Sequence, residues 1–262
     1  MDHHPLEGMW YVPLVSAMVE CIIEDDEIIV LQKQLGEWDN LNHLIVCKKT
    51  SEAAIIDPFS GKYWLDICQK NNWKLNQVWL SHTHWDHSKG VSELEDCEIW
   101  AHELEFERGW NGPSSHIWQH PPNTSASHKL GNLTFAIHCT PGHSPGHTTI
   151  IGHGFVNSGD CLFLGRCGRT DLFGGDIDSQ RRSLIYLKEK LQEIPKNWLV
   201  LPGHQYPLQD GTNPTFLSVE QLLVGNEALM AVDDDDKWNG LNFLAFDDNM
   251  AEKARRQRAM NQ

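Results

Sequence analysis

The sequence predicts an α/β protein, and three observations lead to this expectation. Short apolar runs bounded by polar residues, as at 44–47 and 53–56, have the length and composition of strands. Segments 62–70 and 180–191 space their apolar residues three and four positions apart, as amphipathic helices do. Hydrophobic residues make up 40% of the 262 residues, which is enough apolar material for a sizeable core.

Strand and helix patterns alternate along the chain. The strand at 53–56 ends at Asp57-Pro58, and after the helix at 62–70 a buried strand at 77–80 runs directly into a polar segment. A short helix is expected at 91–94, and a further strand follows the helix at 180–191. The remaining strands are expected at 99–101, 133–139, 148–151, 155–157 and 198–201.

Two stretches lack strand patterning. Residues 103–128 are rich in Pro, Ser, Asn, Gly, His and Trp, which predicts a long surface loop, and His116, His120, Trp110 and Trp118 within it are candidates to line a site. Beyond Pro207, segments 216–230 and 250–258 are polar and helical. We therefore expect one domain over 1–210 and a helical C-terminal extension over 211–262.

Composition and charge exclude several classes of protein. The formal net charge is −15, which argues against nucleic acid or an anionic membrane as the main partner. No apolar run reaches the roughly 20 residues that span a bilayer, and the first residues lack a secretory signal, so a cytoplasmic protein is expected. The seven cysteines form no C-x-x-C pair and predict reduced, mostly buried thiols. The oligomeric state, including a homo-oligomer, stays open.

The strongest signal is the segment His82-x-His84-x-Asp86-His87 at the end of a strand. Side chains two apart on an extended chain point the same way, so His82 and His84 can hold one metal ion together. Asp86 and His87 lie past the bend and can face a second ion. Imidazole with carboxylate is a ligand set for zinc, iron or manganese, and chance occurrence of this string is rare.

Three more candidate ligands follow, each directly after a glycine at the end of an apolar strand: His143, Asp160 and His204. Counting supports two divalent ions. His82, His84 and His143 would serve one ion, and the second would take the ligands Asp86, His87 and His204. Asp160 would bridge both ions, and each ion would keep an open position for water, as catalytic sites do. Zinc is the metal that we expect, with iron and manganese as alternatives.

This motif, followed by Gly-His, Gly-Asp and Gly-His in that order, resembles the metallo-β-lactamase superfamily over about residues 39–206. The resemblance implies an αββα sandwich, in which two mixed sheets lie face to face with helices outside. It also implies that the site lies at one edge of the sandwich.

Within that superfamily, several segments are similar to glyoxalase II, the hydroxyacylglutathione hydrolases: DNLNHLI at 39–45, AAIIDP at 53–58, TPGHSPGH at 140–147, GDCLF at 159–163 and CGR at 167–169. Glyoxalase II commonly has a Lys at the position of Arg169, where it contacts the glutathione carboxylate, so Arg169 is a candidate substrate-binding residue. The basic C-terminal glutathione-binding cluster of glyoxalase II is not recognisable here. The expected substrate is a small-molecule thioester, with glutathione as the candidate thiol carrier.

Under this interpretation, a hydroxide that the metals activate would attack the thioester carbonyl and displace the thiolate, and Asp86 and Asp160 would have catalytic roles beside their ligand roles. No nucleophile motif is present, and the leaving thiolate needs little acid help. Asp57 is a candidate partner that orients a ligand histidine.

The segment GRTD at 168–171 departs from glyoxalase II and resembles the persulfide dioxygenases. That alternative implies a single ferrous ion held by His82, His143 and Asp160, acting on glutathione persulfide. His147 favours the hydrolases over this alternative. A third reading, a lactone or β-lactam hydrolase, fits the glyoxalase-like segments less well.

Overall fold

Two β-sheets lie face to face in the computed structural model, which describes residues 19–113 and 116–244. The first sheet has its strands in chain order: β1 (Glu20–Glu24), β2 (Ile28–Leu35), β3 (Asn40–Cys47), β4 (Glu52–Ile56), β5 (Lys74–Trp79), β6 (Glu98–His102) and β7 (His116–Trp118). Pairing is antiparallel from β1 to β4 and parallel from β4 to β7.

The second sheet runs in the reverse of chain order, from β13 back to β8. Its strands are β8 (Ser125–Leu130), β9 (Leu133–Cys139), β10 (Thr148–Gly152), β11 (Phe155–Gly159), β12 (Leu199–Pro202) and β13 (Leu217–Ser218). Only the β11–β12 pair is parallel, and the helix that connects these two strands is the longest of the described residues.

The helices are α1 (Gly61–Lys70), α2 (Trp85–Ser88), α3 (Glu103–Glu107), α4 (Ile177–Glu193), α5 (Val219–Gly225), α6 (Glu227–Ala231) and α7 (Asp235–Asn239), with 3₁₀ turns at Lys89–Glu93 and Asn242–Leu244. Side chains fix where the two longest helices begin. Ser60 accepts a hydrogen bond from the Tyr63 amide at the start of α1, and Asp176 accepts one from the Ser179 amide at the start of α4. None of the described helices is long and apolar enough to cross a membrane.

The apolar side chains form three layers, and β3 shows why. All of its residues are buried, and successive side chains point to opposite faces. Ile45 lies in the core between the sheets, whereas Leu44 packs with Trp64 of α1 outside the first sheet. Leu187 of α4 belongs to the third cluster, outside the second sheet. The predicted αββα sandwich is therefore confirmed.

The prediction of a long surface loop over 103–128 is wrong. This stretch contains α3, β7 and the start of β8. Trp118 is buried between the sheets, and His120 is buried against the ring of His102, so these two side chains are core residues and not the walls of a site. Trp110 packs on Phe106. The polar composition hid these short elements because pairing and packing with distant segments hold them.

The helix predicted over 216–230 is interrupted. It begins as β13, which pairs with β12, and then divides into α5 and α6 at Asn226. The Asn226 side chain caps α6 and donates to the carbonyls of Phe163 and Leu164, which fixes the break. The helix predicted at 250–258 lies outside the described residues, and a boundary after residue 210 stays a prediction. The prediction of mostly buried cysteines is confirmed, since only Cys21 is exposed.

Candidate metal centre

The seven candidate ligands meet at one edge of the sandwich. The loop after β5 carries His82 and His84, and the short helix α2 carries Asp86 and His87 in its first turn. The other three follow strands of the second sheet. Parallel pairing of β11 with β12 sets Gly159 beside Pro202, which brings the residues after these two strands, Asp160 and His204, together.

The first ligand group consists of His82, His84 and His143. One nitrogen of each ring lies within 4.8 Å of the others, and His84 Nδ1 is 2.9 Å from His143 Nε2. His82 and His84 come from the first sheet and His143 from the second. The group thus joins the two sheets at the edge of the sandwich.

The second ligand group consists of Asp86, His87 and His204, whose ligand atoms also lie within 4.8 Å of one another. The Nε2 atoms of His87 and His204 are 3.0 Å apart. Asp86 Oδ2 lies 3.4 Å from the first of these nitrogens and 3.2 Å from the second. This group also takes ligands from both sheets.

Asp160 lies between the two groups. Its Oδ2 is 3.5 Å from His143 Nε2 of the first group and 3.3 Å from His204 Nε2 of the second. Its Oδ1 is 3.5 Å from His87 Nε2. One carboxylate therefore reaches the ligand atoms of both groups.

A hydrogen-bond chain through Asp57 orients one histidine of each group. Ser81 donates its backbone N–H to Asp57 Oδ1 at 2.7 Å and its hydroxyl to Oδ2 at 2.5 Å. The Ser81 oxygen therefore accepts from His82 Nδ1, at 3.0 Å. Asp57 Oδ2 also accepts from His87 Nδ1, at 3.0 Å. Both histidines consequently direct Nε2 toward the centre, which agrees with the role expected for Asp57.

Backbone carbonyls orient two further histidines. His143 Nδ1 donates to the Arg169 carbonyl at 2.7 Å, and His204 Nδ1 donates to the Trp38 carbonyl at 2.7 Å. Their Nε2 atoms then face the ligand groups. The buried His82 Nε2 has no hydrogen-bond partner among the described residues. Ring nitrogens and carboxylates that converge on one buried point fit a metal ion, which would satisfy them together and take the place of the ring protons.

The first group is electrically neutral. Burial lowers the pKa of His82 and of His84 well below the ordinary value, and neighbouring histidines lower both further. Burial also lowers the pKa of His143, against the opposing effect of Asp160. These rings are therefore unprotonated near pH 7, which is the form that binds a metal.

The second group and Asp160 carry charge. Burial raises the pKa of Asp86 and Asp160, but the adjacent His87 and His204 outweigh it and hold both carboxyl pKa values well below their usual range. In turn, Asp160 and Asp86 raise the pKa of His87 and His204 well above normal despite burial. Two buried carboxylates thus create a strong preference for positive charge at this point.

Three residues with a place at the centre were not assigned one from the sequence. Asn40 donates from Nδ2 to Asp86 Oδ2 at 2.8 Å, and the ring of Tyr206 lies 6.0 Å from that of His204. His147 Nε2 accepts from the Asp160 amide at 3.0 Å and so holds the backbone of that residue. All three stand inside or beside the motifs, which was the available signal.

The Arg169 side chain is already paired. Its guanidinium donates to both carboxylate oxygens of Asp171, from Nε at 2.6 Å and from Nη2. Arg169 therefore contributes to the centre through its carbonyl, and its substrate-binding role stays a prediction.

An αββα sandwich with this ligand arrangement at its edge defines a metallo-β-lactamase fold. The family profile of the metallo-beta-lactamase superfamily matches residues 38–204, and the chain belongs to this superfamily. The predicted superfamily and the prediction of a superfamily enzyme are thereby confirmed.

Two curated relatives within the superfamily are named hydroxyacylglutathione hydrolase. The hydroxyacylglutathione hydrolase of Tolumonas auensis is 29% identical over 175 residues, covering 63% of this chain and 62% of the relative. The hydroxyacylglutathione hydrolase of Erwinia tasmaniensis is 32% identical over 170 residues, covering 62% of this chain and 61% of the relative. The chain thus matches less than two thirds of the length of either relative.

Solved structures share the fold. The BLEG-1 B3 metallo-beta-lactamase has a TM-score of 0.62 at 24% identity, covering 76% of this chain and 98% of its own. ETHE1 from Myxococcus xanthus also has a TM-score of 0.62 at 24% identity, and the match covers 79% of this chain and 90% of its own. TTHA1623, solved in a di-iron-bound form, has a TM-score of 0.58 at 25% identity, covering 74% and 98%.

Proposed function

We propose that this protein is a metal-dependent hydrolase that cleaves a small-molecule thioester, such as an acylglutathione, at a two-metal centre. The observation that carries the proposal is Asp160, whose carboxylate reaches the ligand atoms of two separate groups. The relatives named hydroxyacylglutathione hydrolase support the substrate class. In this proposal residues 1–210 form the catalytic domain, and residues 211–262 form an extension of it.

The first ion is assigned to His82, His84 and His143, and the second to the group that contains Asp86. Asp160 is assigned to both ions. Zinc is the metal proposed, since imidazole and carboxylate ligands suit it, and iron and manganese are the alternatives. The chemistry that two such ions supply is Lewis acidity, which polarises a carbonyl oxygen and lowers the pKa of water toward about 7.

The residues of this chain supply the positions and the charges. Asp86 and Asp160 stay ionised at neutral pH, so each can accept a hydrogen bond from an attacking water and orient it. Asn40 and the His147 ring fix these two carboxylates by bonding to a side chain and to a backbone amide, respectively. A thiolate leaves without protonation, so the absence of a further acid in the proposed mechanism is no obstacle.

Arg169 is proposed to bind a carboxylate of the substrate. Its guanidinium holds the Asp171 carboxylate through two donors, which is the geometry that a substrate carboxylate would need. Binding would therefore require exchange of Asp171 for the substrate. Replacing Arg169 with Ala should raise KM more than it lowers kcat.

A persulfide dioxygenase is the second candidate, and the GRTD segment at 168–171 favours it. In that reading one ferrous ion would take His82, His143 and Asp160, and the second group would support it from outside. Both candidates use the same residues, so ligand identity cannot separate them. The number of ions that the chain needs can.

The test compares the wild-type protein with His204→Ala, which removes a ligand of the second group alone. Bound metal is counted, hydrolysis of S-lactoylglutathione is followed, and oxygen uptake is measured with glutathione persulfide on iron-loaded protein. His116→Ala, which lies at β7, is the matched control. The hydrolase proposal requires two ions in the wild type, one in His204→Ala and thioester cleavage lost with the second ion. Stoichiometric oxygen uptake with iron retained in His204→Ala would instead establish the dioxygenase.

A further inference from the structure

Glu105 is a buried carboxylate that lies outside the seven candidate ligands. It stands on α3, within the stretch that the sequence predicted to be a loop, and none of its surface is exposed. Burying a carboxylate is costly unless several donors satisfy it. Its donors come from two loops that carry candidate ligands.

The first loop is the one that contains His82 and His84. Thr83, between them, donates its backbone N–H to Glu105 Oε2 at 3.0 Å and its hydroxyl to the same oxygen at 2.5 Å. Both donors of one residue therefore bond to one carboxylate oxygen. This fixes the backbone segment that carries the two histidines, one on either side of Thr83 in the sequence.

The second loop contains His143. Gly146, three residues further along, donates its N–H to Glu105 Oε1 at 2.9 Å. A side chain at this position would not fit, because an added Cβ would lie 2.7 Å from the Glu105 amide nitrogen. The glycine therefore allows the loop to reach the carboxylate.

Arg108 completes the cluster and keeps it charged. Its Nη2 donates to Glu105 Oε2 at 3.1 Å and to the Thr83 hydroxyl oxygen at 2.7 Å. Burial raises the pKa of Glu105, but Arg108 and the other donors outweigh it and lower that pKa below its ordinary value. Glu105 is thus an acceptor for all its partners, which a neutral amide cannot be.

We propose that Glu105 is a positioning residue for the first ligand group: it ties the loop of His82 and His84 to the loop of His143. The inference rests on the two-metal centre of the proposed function, since positioning has meaning only if the group binds an ion. It predicts that losing Glu105 weakens one ion and spares the other.

The test measures zinc affinity by competition with a chromophoric chelator at pH 7.5, so that it does not depend on any catalytic activity. Glu105→Gln is placed in two one-site backgrounds: His204→Ala, which retains the first group, and His84→Ala, which retains the second. We expect Glu105→Gln to weaken zinc binding about 10- to 100-fold in the first background, and to leave it unchanged in the second. Glu107→Gln, exposed on the same helix, is the control and should change neither.

Equal weakening in both backgrounds would mean a general structural role and would overturn the proposal, as would no weakening at all. If a one-site background does not fold, two single variants of the otherwise unchanged protein replace it. Thr83→Val removes the hydroxyl that donates to Glu105, and Thr83→Ser keeps it. Thr83→Val should weaken one of the two zinc-binding steps, and Thr83→Ser should weaken neither. Equal zinc affinities in the two variants would overturn the proposal.

A wild-type chain that binds no zinc would refute the two-metal centre and this inference together. Two ions bound equally well by the wild type and by Glu105→Gln would refute only the role of Glu105.

Discussion

Asp57→Asn should weaken the second ligand group by changing the tautomer of His87. In the wild type, Asp57 Oδ2 accepts from both the Ser81 hydroxyl and His87 Nδ1. In the variant, an amide N–H donor replaces this acceptor oxygen and itself needs an acceptor. His87 Nδ1 can accept only if it gives up its proton. The neutral ring, which is the form that binds a metal, then carries its proton on Nε2, which lies 3.0 Å from His204 Nε2 and is the proposed metal-binding atom.

The rest of the local structure favours this outcome. Turning the amide over would place its N–H₂ against the Ser81 backbone N–H, which now bonds to Oδ1 at 2.7 Å. Asp57 has a φ of +50°, a region that Asn adopts as readily as Asp, so the substitution adds no backbone strain. Loss of such an orienting partner typically costs 10- to 100-fold in metal affinity, or about 1.4 to 2.7 kcal/mol.

The assay is a competitive zinc titration of the His84→Ala background, in which only the second group is complete, with and without Asp57→Asn. Asp66→Asn, an exposed aspartate on α1, is the matched control. Thermal unfolding of the metal-free proteins checks that each variant folds. An unchanged zinc affinity in a folded Asp57→Asn variant would refute the tautomer argument.

Three further predictions concern other parts of the molecule. Asp160→Ala should lose bound metal and hydrolase activity together, with activity down about 100-fold or more, and a variant with full metal and full rate would end the assignment of Asp160. Gly203→Ala should reduce metal content, because its Cβ would lie 2.2 Å from Asp160 Oδ1, whereas Gly225→Ala, with open space, should not; equal metal contents would contradict this steric reasoning. Burial lowers the pKa of His128 to about 4, and its Nδ1 accepts from Trp118 Nε1. This ring takes up a proton near pH 6.5 in the unfolded chain and only near pH 4 in the folded chain. The free energy of unfolding should therefore fall by up to about 1.4 kcal/mol per pH unit as the pH is lowered from 6.5 toward 4. Urea unfolding at pH 7 and pH 5 measures this, and an equal loss in His128→Gln would contradict it.

The candidate ligands could be predicted from the sequence because local spacing carries them. His82, His84, Asp86 and His87 stand within one short segment, and a glycine after a strand precedes each of the other three. Strands such as β9, and the helix α4, were likewise visible from their apolar periodicity. These features depend on neighbouring residues only.

What escaped prediction depends on contacts between distant segments. Glu105 meets Thr83 and Gly146 across the fold, and the residues around it do not indicate that these segments come together. The three residues of β7 become a strand because they pair in parallel with β6. β1 and β2 also depend on pairing, with each other and with β3. Propensity is weak for such short elements, so tertiary packing decides them.

Each ligand group takes side chains from both sheets, which has a mechanical consequence. An ion in either group would cross-link the two sheets at this edge of the sandwich. It would bind the folded chain far better than the unfolded one, in which the ligands are apart. At a free metal concentration a thousand times the dissociation constant, one such bound ion adds about 4 kcal/mol to the free energy of unfolding. The stability of the fold would then depend on the free metal concentration. A shortage of metal would lower the free energy of unfolding and remove the activity of the centre together.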